Sequence, residues 1–223
     1  MLLPIPQVLN QNQLDDVRRL LATAQFVDGK VSAGMAARRV KNNEEVAGDA
    51  AQLDELNKIV MGSLVHHSVY LNGALPHRVA APYYARYAPG MAYGDHVDDP
   101  VMGPGPRYRS DIAITIFLSD GERYDGGELV IRTSFGNKEV KLPAGDGIMY
   151  PASSLHHVTA VTRGERLVAT TWVQSLVRDP EKRQLLYELH LAREKLLDAQ
   201  PGTAETARVN TAYVNLVRMW AEV

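Results

Sequence analysis

The 223-residue chain contains no cysteine. That excludes disulfides, cysteine-ligated iron–sulfur clusters and thiolate zinc sites, and it fits a reducing compartment. Neither sign of charge is in excess. Lys and Arg number 24 against 26 Asp and Glu, for a net charge of -2, so no basic field points to nucleic acid. No apolar run reaches the length of about eighteen residues that a membrane span needs. The opening MLLPIPQVLNQNQLDD has no basic region and no long apolar stretch. No signal peptide is expected from it, and a cytoplasmic location is. There is no internal repeat and no low-complexity tract. What is present is ordinary for a soluble globular protein: 45% hydrophobic and 22% charged residues. The length suits one domain, with or without an appendage, and buries a sizeable core.

Residue patterning divides the chain in three. Residues 1–77 read as an N-terminal helical support region. Asn10 or Asn12 caps a helix whose stripe is Leu14, Val17, Leu20 and Leu21, and a second helix is expected over 50–71 with Leu53, Leu56, Val60 and Leu64 inward. Residues 78–176 form a β core. Eight strands are predicted: 82–88, 93–98, 111–118, 127–132, 138–142, 146–150, 155–161 and 166–175. Turn sequences separate them, among them Pro89-Gly90, Asp125-Gly126-Gly127, Phe135-Gly136-Asn137 and Arg163-Gly164-Glu165. Eight short antiparallel strands suit a jelly roll, the double-stranded β-helix. Residues 177–223 form a C-terminal helical extension. Asp179-Pro180 opens one helix and Pro201-Gly202-Thr203 separates it from another. The fold class is therefore α+β with a mainly β core.

The most informative feature is His96-Val97-Asp98, followed 58 residues after Asp98 by His156. Two imidazoles and one carboxylate make the facial ligand set of non-heme Fe(II) oxygenases. Side chains alternate along a strand, so His96 and Asp98 share a face while Val97 and Asp99 point away. A third ligand from a distant strand closes the set.

The flanking sequence resembles a known family. Arg86-Tyr87 through Tyr93-Gly94-Asp95-His96-Val97-Asp98 resembles the RYxxGxxYxxHxD stretch of prolyl-hydroxylase-type Fe(II)/2-oxoglutarate oxygenases. Tyr124-Asp125-Gly126-Gly127-Glu128-Leu129 resembles the group's YDGGEL turn. Its second half is matched by Tyr150-Pro151, Leu155-His156-His157-Val158 and Val161-Thr162-Arg163-Gly164-Glu165-Arg166. With the KNNEE segment at 41–45 and the helical tail, the whole chain is similar to the bacterial PKHD-type hydroxylases. Ala160-Val161 departs from the Pro-Val expected there, a change that alters a turn.

The resemblance implies an Fe(II)- and 2-oxoglutarate-dependent dioxygenase. Such an enzyme hydroxylates a substrate and releases succinate and CO2, often with L-ascorbate in support. It implies iron on His96, Asp98 and His156. The Leu-His-x-Val frame favours His156 over His157, which faces the other way. The resemblance also places the 2-oxoglutarate arginine at Arg166, since a guanidinium grips a carboxylate bidentately. Arg163 sits in the turn and faces water. Tyr87 is a second candidate for that carboxylate, or a core tyrosine, and Thr115 is a candidate pocket residue. Trp172 reads as core. His66, His67, His77 and His190 have no partner at ligand spacing.

Met102-Gly103-Pro104-Gly105-Pro106 is a candidate lid or an ordinary connector. The expected partners are 2-oxoglutarate, O2 and a small-molecule or peptidyl substrate, with no nucleic acid and no membrane. Apolar residues of the tail, Leu185, Leu186, Leu189, Leu196, Leu197, Val209, Leu216 and Trp220, cover the barrel or join two copies. A zinc hydrolase on the same three ligands remains an alternative, though it has no use for Arg166. So does a non-catalytic metal or small-molecule sensor on a cupin-like barrel.

Overall fold

The computed structural model describes residues 1–103, 105 and 107–223. The first half of the chain runs β1 (Leu3–Ile5), α1 (Gln11–Ala22), β2 (Phe26–Asp28), β3 (Lys41–Asn42), β4 (Glu44–Val46), α2 (Ala50–Leu64), α3 (Ser68–Ala74), β5 (Pro76–Val79), β6 (Tyr83–Tyr87) and β7 (Ala92–His96). It continues with β8 (Val101–Met102), β9 (Tyr108–Arg109), β10 (Ile112–Phe117), β11 (Leu129–Thr133), β12 (Gly136–Val140), β13 (Gly147–Pro151), β14 (His156–Val158), β15 (Arg166–Ser175), α4 (Pro180–Ala199) and α5 (Ala204–Trp220).

Two antiparallel sheets make the jelly roll. The larger has the order β1-β13-β10-β15-β6-β4-β2, with β5 also on β15; the smaller has the order β12-β11-β14-β7-β3. All eight strands expected from the sequence are present. Apolar residues from both sheets, including Ala113, Phe117, Ile131, Tyr150, Val158 and Val168, form the buried interior between them. A second core lies on the outer face of the larger sheet, where α1 and α2 bury Leu14, Val17, Leu21, Leu56, Val60 and Leu64.

Local chemistry sets the helix ends. Asn10, not Asn12, caps α1, and a reciprocal bond from Gln13 completes a capping box. Asp49 caps α2. The helix expected over 50–71 is in fact two. The chain breaks at Val65, and His67 caps α3 by accepting from the Val69 amide at 3.2 Å while its other nitrogen donates to the Pro6 carbonyl at 2.9 Å.

The N-terminal region carries strands as well as the expected helices. It contributes β1, which extends the larger sheet beside β13, and β2 and β4 at the opposite edge, and β3 beside β7. Residues 41–46 thereby cross from the smaller sheet to the larger.

The C-terminal extension packs on the barrel. Asp179 caps α4 with Pro180 in its first turn, where the sequence places the helix start, and Thr203, in the expected break, caps α5. Val177, Leu186, Leu189, Tyr213, Leu216 and Trp220 share one cluster with Leu75, whereas Leu185 is exposed. Buried Arg183 donates to the carbonyls of Val177 and Arg178 at 2.7 and 2.8 Å.

The turn before β11 is held by a backbone that only glycine adopts without strain. Gly126 has φ +72°, and a Cβ there would lie 2.0 Å from the Ala160 carbonyl oxygen. Gly126→Ala is expected to destabilise the fold by roughly 2 kcal/mol or more. Gly62 lies exposed in α2 with open space around it. Gly62→Ala should instead stabilise by about 0.5–1 kcal/mol. Denaturant titration of both variants checks the pair, and equal effects would contradict this account of the turn.

Candidate active site

The pairing of β7 with β14 places His96 directly opposite His156. Their ring centroids lie 4.3 Å apart. Asp98 follows two residues after His96, and its Oδ1 stands 3.9 Å from Nε2 of each histidine. The three donor atoms lie within 4.8 Å of one another, a grouping able to hold a metal ion.

Each imidazole is fixed by its own chain. Nδ1 of His96 donates to the Gly94 carbonyl at 2.8 Å, and Nδ1 of His156 donates to the Ser154 carbonyl at 2.9 Å. A carbonyl only accepts, so Nδ1 of each ring carries a proton and Nε2 is the nitrogen turned toward the cluster. Burial, helped by neighbouring His156, pushes the His96 pKa down to about 4, which keeps that ring neutral. Burial raises the pKa of Asp98, opposed by His156 and by a hydrogen bond from Trp172.

That bond runs from Trp172 Nε1 to Asp98 Oδ2 at 2.9 Å. It occupies the oxygen that does not face the histidines. Trp172 is therefore part of the site and not merely core. The signal for it lay in strand parity: Arg166, Val168, Thr170 and Trp172 alternate along β15 and all line the same cavity. Tyr93 and Tyr150 are further site residues that sequence reasoning passed over. Tyr93 stacks on His96 with centroids 3.7 Å apart, and Tyr150 meets His156 edge-on at 5.1 Å.

Arg166 is 1% exposed and lines the same cavity of about 640 Å³. Its guanidinium lies 4.9 Å from the Tyr87 ring centroid, and its Nε has no hydrogen-bond partner among the described residues. A buried cation without a counter-charge is costly, and this one faces a cavity with room for an anion. Gly127 makes room for it, since a Cβ there would come within 2.9 Å of Arg166 Cδ. Tyr87 and Thr115 are buried in the same cavity wall. Burial pushes the Tyr87 hydroxyl upward, so it stays protonated and able to donate.

The competing residues stand elsewhere. Arg163 is exposed and pairs with Asp125 at 2.6 and 3.0 Å. His157 faces outward toward Asp95. Asp99 lies at the cavity rim outside the donor cluster. Of the candidate lid, Met102 lies on β8, which pairs with β9, and Met102 and Gly103 line the cavity together with Val101 and Tyr108. Pro104 and Pro106 lie outside the described residues. The KNNEE segment supplies a buried ion pair, Lys41 with Glu45, to the same wall.

The donor set and the buried guanidinium with its unpartnered Nε fit Fe(II) and 2-oxoglutarate. The comparisons agree. Residues 82–174 match the 2OG-Fe(II) oxygenase superfamily, and residues 181–222 match the PKHD-type hydroxylase C-terminal domain. A PKHD-type hydroxylase of Thioalkalivibrio sulfidiphilus is 51% identical over 224 residues, covering the whole of both chains. Among solved structures, a prolyl hydroxylase from Trichoplax adhaerens, in complex with a peptide of hypoxia inducible factor, aligns with TM-score 0.60 at 16% identity. The match covers 83% of this chain and 86% of that one. A Pseudomonas putida prolyl-4-hydroxylase aligns with TM-score 0.54 at 17% identity, over 78% of this chain and 92% of that one. The chain therefore belongs to the PKHD-type hydroxylases, a family of Fe(II)- and 2-oxoglutarate-dependent oxygenases.

Proposed function

We propose that hydroxylation takes place in this cavity, with His96, Asp98 and His156 as the iron ligands and Arg166 as the receiver of the distal 2-oxoglutarate carboxylate. One observation carries the reading. A single cavity holds both a cluster of two imidazoles and a carboxylate and a buried guanidinium with an unpartnered Nε. When bound, Fe(II) and 2-oxoglutarate supply the oxidising chemistry, in which O2 is consumed, succinate and CO2 leave, and one oxygen atom enters a substrate C–H bond.

The chain's own residues do the rest. Backbone carbonyls hold the Nδ1 protons of His96 and His156 and so turn Nε2 of each ring toward the metal position. Trp172 orients the Asp98 carboxylate and leaves Oδ1 facing the histidines. Arg166 binds and aligns the diacid, with Tyr87 and Thr115 beside it. The buried residues between the sheets exclude water. Tyr83, Tyr108, Met102 and Trp172 give the remaining wall an aromatic, apolar character, and the small-molecule or peptidyl substrate enters there.

In this reading L-ascorbate sustains turnover in the cytoplasm. Residues 78–176 carry the chemistry, residues 1–77 support it, and residues 177–223 cover the barrel and offer Leu185 and Met219, both exposed, for contact between copies. The test is an aerobic assay with Fe(II) and 2-oxoglutarate, following succinate while candidate substrates are screened.

His156→Ala should abolish turnover and metal binding, whereas His157→Ala should do much less: it keeps the metal site and turnover, with affinity lowered only by loss of its outer-face bond to Asp95. Metal titration of both variants decides, and the reverse outcome would exchange the two assignments. Truncating one partner of a buried charged pair costs roughly 2–5 kcal/mol. Arg166→Ala should therefore raise the apparent 2-oxoglutarate requirement by on the order of thirty-fold or more, at about tenfold per 1.4 kcal/mol. Metal binding should survive that change, and Arg166→Lys should recover only part of the loss. Trp172→Phe keeps the aromatic wall but loses the bond to Asp98, so metal affinity should fall by roughly tenfold. Unchanged affinity would remove Trp172 from the site's architecture.

A further inference from the structure

Residues three apart on a regular strand face opposite sides of a sheet. Tyr93 and His96 nevertheless both face the cavity, with their rings stacked 3.7 Å apart. A β-bulge makes this possible. On β14 the partner of Tyr93 is Val158 and the partner of His96 is His156, so two steps on β14 match three on β7. Gly94 and Asp95 are the bulged pair. The bulge also creates the lock on His96, because the Gly94 carbonyl accepts its Nδ1 proton while the Gly94 amide donates to the Val40 carbonyl at 2.8 Å.

Something must hold the bulge in place on its outer face. Asp95 turns outward there. Its Oδ1 accepts from His157 Nδ1 at 2.9 Å, and its Oδ2 accepts from Arg132. Arg132 is on β11 and His157 on β14, so one carboxylate ties three neighbouring strands, β11, β14 and β7. Asp95 and His157 are chain neighbours of His96 and His156, and Arg132 follows Ile131, a buried core residue that pairs with His156.

We propose that Asp95 is a positioning residue for metal binding: with His157 and Arg132 it holds the β7 bulge and so keeps His96 in register with His156. The proposal rests on reading His96, Asp98 and His156 as the metal ligands. A plain surface ion pair is the rival account. Exposed pairs contribute little to fold stability and nothing in particular to a metal on the other face of the sheet. The two accounts separate on metal affinity, because three ligands must be placed together while a fold tolerates small shifts.

The experiment titrates Mn(II) into the purified, metal-free full chain, with the free ion followed by electron paramagnetic resonance, alongside thermal unfolding of the metal-free protein. Asp95→Ala is expected to keep one site but raise its dissociation constant by roughly tenfold to a hundredfold, the range seen when groups that orient metal ligands are removed. The unfolding midpoint should move little. Asp95→Asn keeps one acceptor and should recover part of the affinity. Asp95→Ala with wild-type affinity overturns the clamp, whatever the midpoint does. If affinity and midpoint fall together, the absorption of the Co(II)-loaded variant decides: an altered ligand field supports positioning, and a wild-type spectrum overturns it. His156→Ala run in parallel keeps the two readings apart. Loss of its site leaves the triad standing even where the clamp fails, whereas wild-type binding by His156→Ala removes the triad and the clamp with it.

Discussion

One strand pairing governs the site. In an antiparallel ladder, residues directly opposite one another sit about 4.5–5.5 Å apart at their α-carbons, on the same face. The β7–β14 register puts His96 and His156 in that relation. A third donor then needs only to lie a short step beyond one of them, and Asp98 does. A slip of one residue would send one imidazole to the outer face, where His157 now sits. The remaining layers keep that register: the larger sheet closes the sandwich, α1 and α2 back it, and the tail packs against its end.

The charges in the cavity are handled in three ways. Lys41 and Glu45 neutralise each other within the wall. Asp98 is held by the indole of Trp172 and faces His156 and the His96 ring that burial keeps neutral. Arg166 has no such answer at Nε, although it is the largest of the fully buried side chains. A fold selected for stability alone would place an apolar residue there, since a lone buried charge is destabilising. Its place in one cavity with His96, Asp98 and His156 fits a hydroxylase dependent on a dicarboxylate, and Gly127 is the backbone concession that makes room for it.

Much of this was legible in the sequence, for physical reasons. Long strands with clean alternation announce themselves, and β15 spans the 166–175 read from its pattern. The cap and apolar stripe of α1 were readable because both are local. Strands of two or three residues, such as β1 and β3, were not, because too few residues alternate and their partners lie far along the chain. The break between α2 and α3 was hidden for a related reason: His67 acts as a cap only where the Pro6 carbonyl meets its ring. The cluster of His96, Asp98 and His156 was visible as types and spacing. The bulge that aims His96 was not, since nothing in Tyr93-Gly94-Asp95-His96 breaks alternation until β14 supplies the register. Trp172 was within reach, because it shares the face of Arg166 on β15.

The central claim is that one cavity holds a metal and a dicarboxylate together, the second through Arg166. Calorimetric titration of 2-oxoglutarate into the Mn(II)-loaded protein, set against 2-oxopentanoate, tests it most directly. The second ligand keeps the keto-acid end and replaces the far carboxylate with a methyl group. A charged pair in a partly desolvated site accounts for roughly 2–5 kcal/mol, so 2-oxoglutarate should bind at least about thirty-fold more tightly. It should also bind far more weakly when the metal is absent. Equal affinity for the two acids, or metal-independent binding of 2-oxoglutarate, would contradict the account.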